Sequence, residues 1–501
     1  MQRIAIVGAG AAGACMVESI ARTVRETCAL TVVDGGPHLW RGRAYQPDES
    51  GVLTNIHAAH MSLRESDPSH ALRWLTGRCP GAVDGDGLTS RALYGAYLDD
   101  TVSRAWHRLA GRGWRLRTVR EHATRVVPEG RRVAVATAGG GYARFDHVVL
   151  CTGPTEPADP YRLGGAGRRY VADPFPLART LAGLPDGGPV GILGSGLTAL
   201  DIVAALVGRD DRSAITLVSR SGILPAVRTP SAVRRPRYLT LARLEALTAA
   251  GRPLRSADLL ALVRAELRAA GSGESGLRRE LAVTEPPSVR LRRQLHDGRP
   301  DDGLGVLRQA LHHFAGHAWN LLPDEEKTAL WQCYSRALTS LCCPMPRHRA
   351  ALLLELMDSG RLRVLSGVSA IERNARGGFD ITAGGAVTGV GTLFNALNPA
   401  APATVGLSAI ESYVTRRTGA GHPLGGLRTE RRTHRVLGAH GGCPGLYALG
   451  HPTRGSVLFH FGIPSLVYQS GLVARAIAAA TDAGARPGGR RHRTALSAAG
   501  G

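Results

Sequence analysis

Two short runs hold the residues whose types and spacing can do chemistry. In IAIVGAGAAGACMVESI, Gly8, Gly10 and Gly13 follow a strand-like apolar run and stand at the mouth of a helix-like one, with Ala11 and Ala12 between them. A turn of this kind binds a dinucleotide. The first glycine allows the tight turn, the second lets backbone approach the pyrophosphate, and the third lets helix and strand pack closely. Asp34 ends the next strand-like run, 21 residues after Gly13, where a carboxylate can accept from ribose hydroxyls. In VGILGSGLTALDIV the arrangement recurs as Gly194, Ser195, Gly196 and Thr198, with Ala199 in place of the third glycine. Here Ser219 and Arg220 stand where the first unit has Asp34. A hydroxyl and a guanidinium would bind a 2′-phosphate that a carboxylate would repel, which argues for NADPH over NADH. One turn holds one pyrophosphate, so two turns call for two cofactors, a bound flavin and a visiting nicotinamide.

A third run, from Asp146 to Gly153 (DHVVLCTG), is a strand entering a small-residue turn. Thr152 and Gly153 there would let the chain cross close to a bound dinucleotide. The same role would fall to FNALNPA later in the chain, where Ala396-Leu397-Asn398 lacks the expected glycine. Other chemistry is disfavoured. The eight cysteines include no C-x-x-C pair, which speaks against a redox disulfide or a cysteine-rich zinc site. His313 and His317 are four apart without a third ligand nearby, so no metal is expected.

Around these motifs the chain reads as an α/β protein with two Rossmann-like dinucleotide-binding domains and a helix-rich insertion. Residues 1–170 would form the first part of an FAD-binding domain and 171–235 the first part of an NADPH-binding domain. Residues 236–345 carry helical patterns and form the insertion, interrupted by glycine- and arginine-rich stretches near 271–304. Residues 346–400 would return to the NADPH-binding domain and 401–483 to the FAD-binding domain, leaving 484–501 as a disordered tail. Strands are expected near 114–120, 123–127, 132–137 and 146–151, and a loop-rich stretch follows Asp34.

The net charge of +22 suggests a nucleic-acid binder, but only Lys327 among the 62 basic residues is a lysine, and the arginines are spread along the whole chain. A nucleic-acid footprint needs them gathered on one stripe. The composition, 44% hydrophobic and 20% charged, is ordinary for a globular enzyme. The chain enters its first strand at Arg3, leaving no room for a signal peptide, and no apolar stretch is long enough to cross a bilayer. The expectation is a cytoplasmic enzyme that uses neither nucleic acid nor membrane, with a homo-oligomer allowed.

Taken together, GAGAAG, RGRAYQPDESGVLTNIHAAHMSL, RALYGAYL, GSGLTALD with SRSGILP, WNLLPDEEKTALW and PRHRAALLLELMDSGRLRVLSG resemble a family of two-dinucleotide flavoproteins. It contains FAD-dependent urate hydroxylases and the aspartate N-monooxygenases that form nitrosuccinate, and is related to lysine and ornithine N-hydroxylases. The resemblance implies that Gly8, Gly10, Gly13 and Asp34 hold the FAD adenosine diphosphate. It implies that Arg43, Tyr45, Asn55, Met61 and Ser62 lie along the flavin, with Gly450 close by. Gly194, Ser195, Gly196, Thr198 and Arg220 would receive NADPH. Candidate substrate contacts are His57, His60, Arg64, His451, Arg454 and His460, and no catalytic side chain is assigned. The sequence departs from related flavoproteins in placing His451 after Gly450, where an aspartate is usual.

The implied activity is NADPH-dependent monooxygenation. Hydride passes to flavin N5, oxygen forms a C4a-hydroperoxide, and an oxygen atom is delivered to a small polar amine or amino acid, aspartate-like in view of the arginines. A dehydrogenase or oxidase on the same fold, inserting no oxygen, is the alternative.

Overall fold

The computed structural model describes residues 1–154, 157–184, 188–209, 212–228, 236–296, 302–398, 409–439, 441–460 and 462–485. Of the expected tail, all beyond Ala485 lies outside the described residues. Two parallel sheets organise the chain. In the first, strands run in the order Arg435–Gly438, Gly441–Ala448, His147–Leu150, Arg3–Val7, Ala29–Val33 and Arg115–Val119, all parallel except the Arg435–Gly438 edge. In the second, the order is Leu362–Leu365, Ile215–Val218, Val190–Leu193, Thr392–Asn395 and Tyr170–Val171, all parallel. The central strands IAIV, HVVL, VGIL and ITLV are buried throughout, as near-continuous apolar runs covered on both faces must be.

Each sheet carries a three-stranded antiparallel sheet as an appendage: Ala123–Glu129, Arg132–Thr137 and Tyr142–Phe145 on the first, and Val368–Arg373, Phe379–Ala383 and Ala386–Val390 on the second. The chain thus builds the same unit twice. The expected boundary between 170 and 171 falls inside a strand, because Tyr170 already pairs with Leu393 in the second sheet.

Helix Ala11–Thr23 packs on the first sheet beside helix Ile463–Ala485 and helix Arg91–Gly111, around a core that includes Ile4, Ile6, Met16, Ile20, Tyr94 and Leu98. The insertion packs its own core around Leu244, Leu254, Leu267, Phe314 and Trp319. Its glycine- and arginine-rich stretch is less of an interruption than its composition suggests. It forms helices Ser275–Ala282 and Pro287–His296. What holds them is a buried ion-pair network in which Glu280 accepts from Arg290, Arg293 and Gln294. Arg290 also donates to the Leu224 carbonyl. No helix of the described residues is long and apolar enough to cross a membrane.

Candidate functional site

The two glycine turns are twins. Gly8 has φ +101°, and an alanine methyl there would sit 2.6 Å from the Cys151 carbonyl oxygen. Gly194 has φ +111°, and its methyl would sit 2.8 Å from the Ala396 carbonyl oxygen. Both positions therefore require glycine, for backbone sign and for room. The Ala396 stretch fills the role of Cys151 without a glycine of its own, because what the turn demands there is a closely packed carbonyl. Gly13 is fixed by the third requirement, since a methyl would collide with the Gly8 carbonyl.

Beyond each turn a helix begins with bare backbone donors. Gly10 (φ −83°, ψ −160°) precedes helix Ala11–Thr23, and Gly196 (φ −84°, ψ −174°) precedes helix Leu197–Gly208. Neither has a side-chain cap or an acidic residue in its first turn. Two uncapped helix N-termini, each aimed past a small-residue cradle, suit anionic diphosphates. Thr198 lies in the first turn of the second helix. Thr152, beside Gly8, has a buried hydroxyl with no partner among the described residues. A buried orphan at the rim of a cradle fits a group that supplies the missing hydrogen bond. Gly153 is open on its Cβ side.

Asp34 accepts from the Ala9 and Gly36 amides, at 2.6 Å each. A carboxylate has about four lone-pair sites, so capacity remains for a ribose hydroxyl. In the second unit Ser195 Oγ donates to the Ile223 carbonyl at 2.7 Å and lies 3.1 Å from Ser219 Oγ, which accepts the Gly222 amide. Arg220, beside Ser219, is exposed.

The loop after Asp34 lies between the units. Arg43 forms a two-pronged ion pair with Asp173 and lies over the Phe175 ring. Tyr45 packs on Tyr94 with ring centroids 5.0 Å apart, and burial pushes its phenol up to about 12. The Asn55 carbonyl accepts from Arg228. Tyr94 Oη donates to the Met61 carbonyl at 2.6 Å, and Tyr97 Oη accepts the Leu63 amide. Ser62 Oγ closes the following turn on the Asp67 carbonyl.

The substrate-contact candidates separate into two groups. His57 packs its ring against Gly87 and caps the short helix Ala58–His60, whose last residue is exposed. Arg64 pairs at 2.8 Å with Glu18, which is buried in helix Ala11–Thr23. His451, Arg454 and His460 come together at the other side. Gly450 reaches the first cradle, its added methyl lying 3.5 Å from Ala12 Cβ. The His451 and His460 rings meet edge to face at 5.5 Å. Burial first, then the Arg454 charge, hold His451 down at about 4; burial with His451 and Arg454 hold His460 at about 3. Arg454 itself pairs with the buried Glu411 at 3.0 Å.

Sequence reasoning missed what covers this corner. Trp319 of the insertion donates its indole N–H to the Gly455 carbonyl at 2.9 Å. Asp324, opening the next helix, meets Lys327, His422 and Arg428. The WNLLPDEEK stretch was visible as a motif, but its partners lie about a hundred residues downstream. Among the described residues no group of three metal-ligating side chains forms.

Residues 5–155 match the model of a family described as FAD-NAD(P)-binding. No curated protein matches the chain. Among solved structures, the reduced form of ornithine hydroxylase (PvdA) from Pseudomonas aeruginosa is similar at 12% identity, covering 96% of this chain and 99% of that chain, with a TM-score of 0.58. The ornithine N-hydroxylase of Kutzneria sp. 744, with reduced FAD, NADP+ and L-orn, is similar at 13% identity over 96% and 99%, TM-score 0.58. The cadaverine monooxygenase DfoA from Erwinia amylovora, bound to FAD, is similar at 12% identity over 95% and 94%, TM-score 0.54. At such identities the likeness establishes the fold: the chain has the two-dinucleotide architecture of these flavin monooxygenases.

Proposed function

We propose that the chain is an FAD- and NADPH-dependent monooxygenase that N-hydroxylates a small polar amine or amino acid, with molecular oxygen as co-substrate. One observation carries the reading: two cradles of matching backbone geometry, each backed by a carbonyl and each opening an uncapped helix, stand in two separate parallel sheets of one chain. Gly8, Gly10, Ala11, Ala12, Gly13 and Asp34 would hold FAD, flanked by Thr152, Gly153 and Gly450. Arg43, Tyr45, Asn55, Met61 and Ser62 would line its length. Gly194, Ser195, Gly196, Thr198, Ser219 and Arg220 would hold NADPH. When bound, this pair supplies hydride transfer to flavin and the activation of oxygen.

The protein's own part is to bind, orient and exclude water. Trp319 of the insertion bonds the Gly455 carbonyl between His451 and His460, which supports exclusion of water at that corner. Burial holds both histidines below their ordinary range, so near pH 7 they add no positive charge that would repel an ammonium substrate. Arg64 and Arg454 each serve an internal carboxylate, so neither is a spare cation for a substrate carboxylate. This weakens the argument for an aspartate-like substrate, which is tested alongside diamines.

The test is rapid mixing followed by product analysis. FAD-loaded protein is reduced anaerobically with NADPH, mixed with oxygenated buffer, and screened with aspartate, ornithine and short diamines. A hydroxylated amine formed in step with NADPH consumption is the expected result. Reoxidation yielding only hydrogen peroxide with every substrate would favour the dehydrogenase or oxidase alternative. A flavin that NADPH does not reduce would overturn the account of the second cradle.

A further inference from the structure

Residues 51–55 lie between the two units, and three of their carbonyls are each held by a different arginine. The Gly51 carbonyl accepts from Arg349 at 2.8 Å, Leu53 from Arg91 at 2.9 Å, and Asn55 from Arg228 at 2.5 Å. Arg349 and Arg228 come from the second unit. Arg91 comes from the first, and it passes its other prong to Asp201 at 2.8 Å. Asp201 sits near the start of helix Leu197–Gly208, the helix that the second cradle opens, and only 8% of it is exposed. These groups border one cavity between the units, lined by Asn55, Arg91, Leu197, Asp201, Pro346 and Arg349. Arg43 with Asp173, and Arg209 with Glu49, tie the same loop farther out.

Such a comb of donors fixes register. Each guanidinium fork reaches its carbonyl with defined geometry, and three of them on five consecutive residues leave the segment little freedom to slide. Because Arg91 bridges Leu53 to Asp201, a movement of the second cradle's helix is passed directly to the loop that ends in Asn55. We infer that Asp201 is a positioning residue, acting through Arg91 to set the register between the nicotinamide cradle and the flavin-side loop, and so the geometry of hydride transfer. This rests on the proposed function above. Displacements of about 1 Å at a reacting pair can cost a hundredfold in rate, so the effect belongs in the transfer step more than in binding.

The test uses full-length FAD-loaded protein carrying Asp201→Asn, Arg91→Lys or both. Anaerobic reduction over a range of NADPH concentrations separates the limiting reduction rate from the NADPH dissociation constant. A second readout is the long-wavelength charge-transfer absorbance of NADP+ bound to the reduced protein, which reports ring stacking and not turnover. The expected result is a limiting rate at least tenfold lower in Asp201→Asn, a dissociation constant within threefold of wild type, weakened charge-transfer absorbance, and no further loss in the double variant. Should Asp201→Asn fail to retain FAD, Arg91→Lys, which keeps the charge and loses the fork, decides by the same readouts. Reduction at the wild-type rate in the variants overturns this inference alone, as does a loss lying wholly in NADPH affinity. A wild-type protein that binds FAD and is not reduced by NADPH overturns the functional reading first, and this inference with it.

Discussion

Replacing Gly196 by alanine separates the demands of the fold from the demands of a ligand. At Gly194 the two are entangled, because positive φ and the Ala396 carbonyl exclude a side chain whatever binds there. Gly196 is different. Its φ of −84° suits any residue, and an added methyl would meet no protein atom within 4 Å. Restricting the unfolded chain should gain about 0.4–1 kcal/mol, and the poorer N-cap should cost about as much, so stability should stay within about 1 kcal/mol of wild type. The methyl would stand where a pyrophosphate must approach the helix N-terminus. Losing one charge-assisted backbone hydrogen bond costs about 1.5–3 kcal/mol, or roughly a ten- to hundredfold weaker dissociation constant. The assay is anaerobic flavin reduction against NADPH concentration, paired with urea unfolding. Gly10→Ala is the twin, its methyl lying 3.5 Å from Gly42 Cα, and it should lower FAD retention by a similar factor while the apoprotein stays folded. An NADPH dissociation constant within threefold of wild type in Gly196→Ala would refute the assignment of the second cradle.

Thr152→Val removes the orphaned hydroxyl at nearly constant shape; apoprotein stability should rise or hold, by up to about 1 kcal/mol, while FAD dissociates several-fold faster, as flavin fluorescence during dilution would show. His434 is buried beside the Ala448 carbonyl and held down at about 4 by burial. Its folded value lies below the ordinary one near 6.5, so the unfolded chain binds the extra proton between them. Stability should therefore fall as pH drops from about 6.5 to about 4, by about 3 kcal/mol from this residue, and His434→Asn should flatten that slope in thermal unfolding series. Glu280→Gln leaves Arg290 buried without its charge partner and should cost about 3–5 kcal/mol, read as early protease cleavage within the insertion.

What the sequence disclosed and what it hid differ in the range of the forces involved. The cradles were legible because their constraints are local: a strand, a glycine with positive φ and a helix start follow within a fixed spacing, while the partner carbonyls of Cys151 and Ala396 lie far along the chain. The strands near 115, 123 and 132 were legible for the same reason. Helix Arg91–Gly111 was quoted as a motif and not read as a helix, though Leu93, Tyr94, Tyr97, Leu98, Thr101, Val102 and Ala105 repeat at helical spacing behind an N-capping Ser90, a signal that was there to find. The arginines were illegible for a different reason. In a chain where nearly every cation is arginine, residue type no longer marks function, and burial decides which ones matter. Arg64 and Arg454 read as substrate contacts because they sit in loops beside the flavin motifs, yet their carboxylates, Glu18 and Glu411, lie 46 and 43 residues away in sequence.

The same distance hid the comb on residues 51–55, whose arginines come from positions 91, 228 and 349. Its consequence is that the two cradles were predictable one at a time, and their relation to each other was not. A dinucleotide site needs a turn; a reaction between two dinucleotides needs the turns held in register. In this chain that second requirement falls to ion pairs and carbonyl clamps spread over about 300 residues, which no local pattern reports.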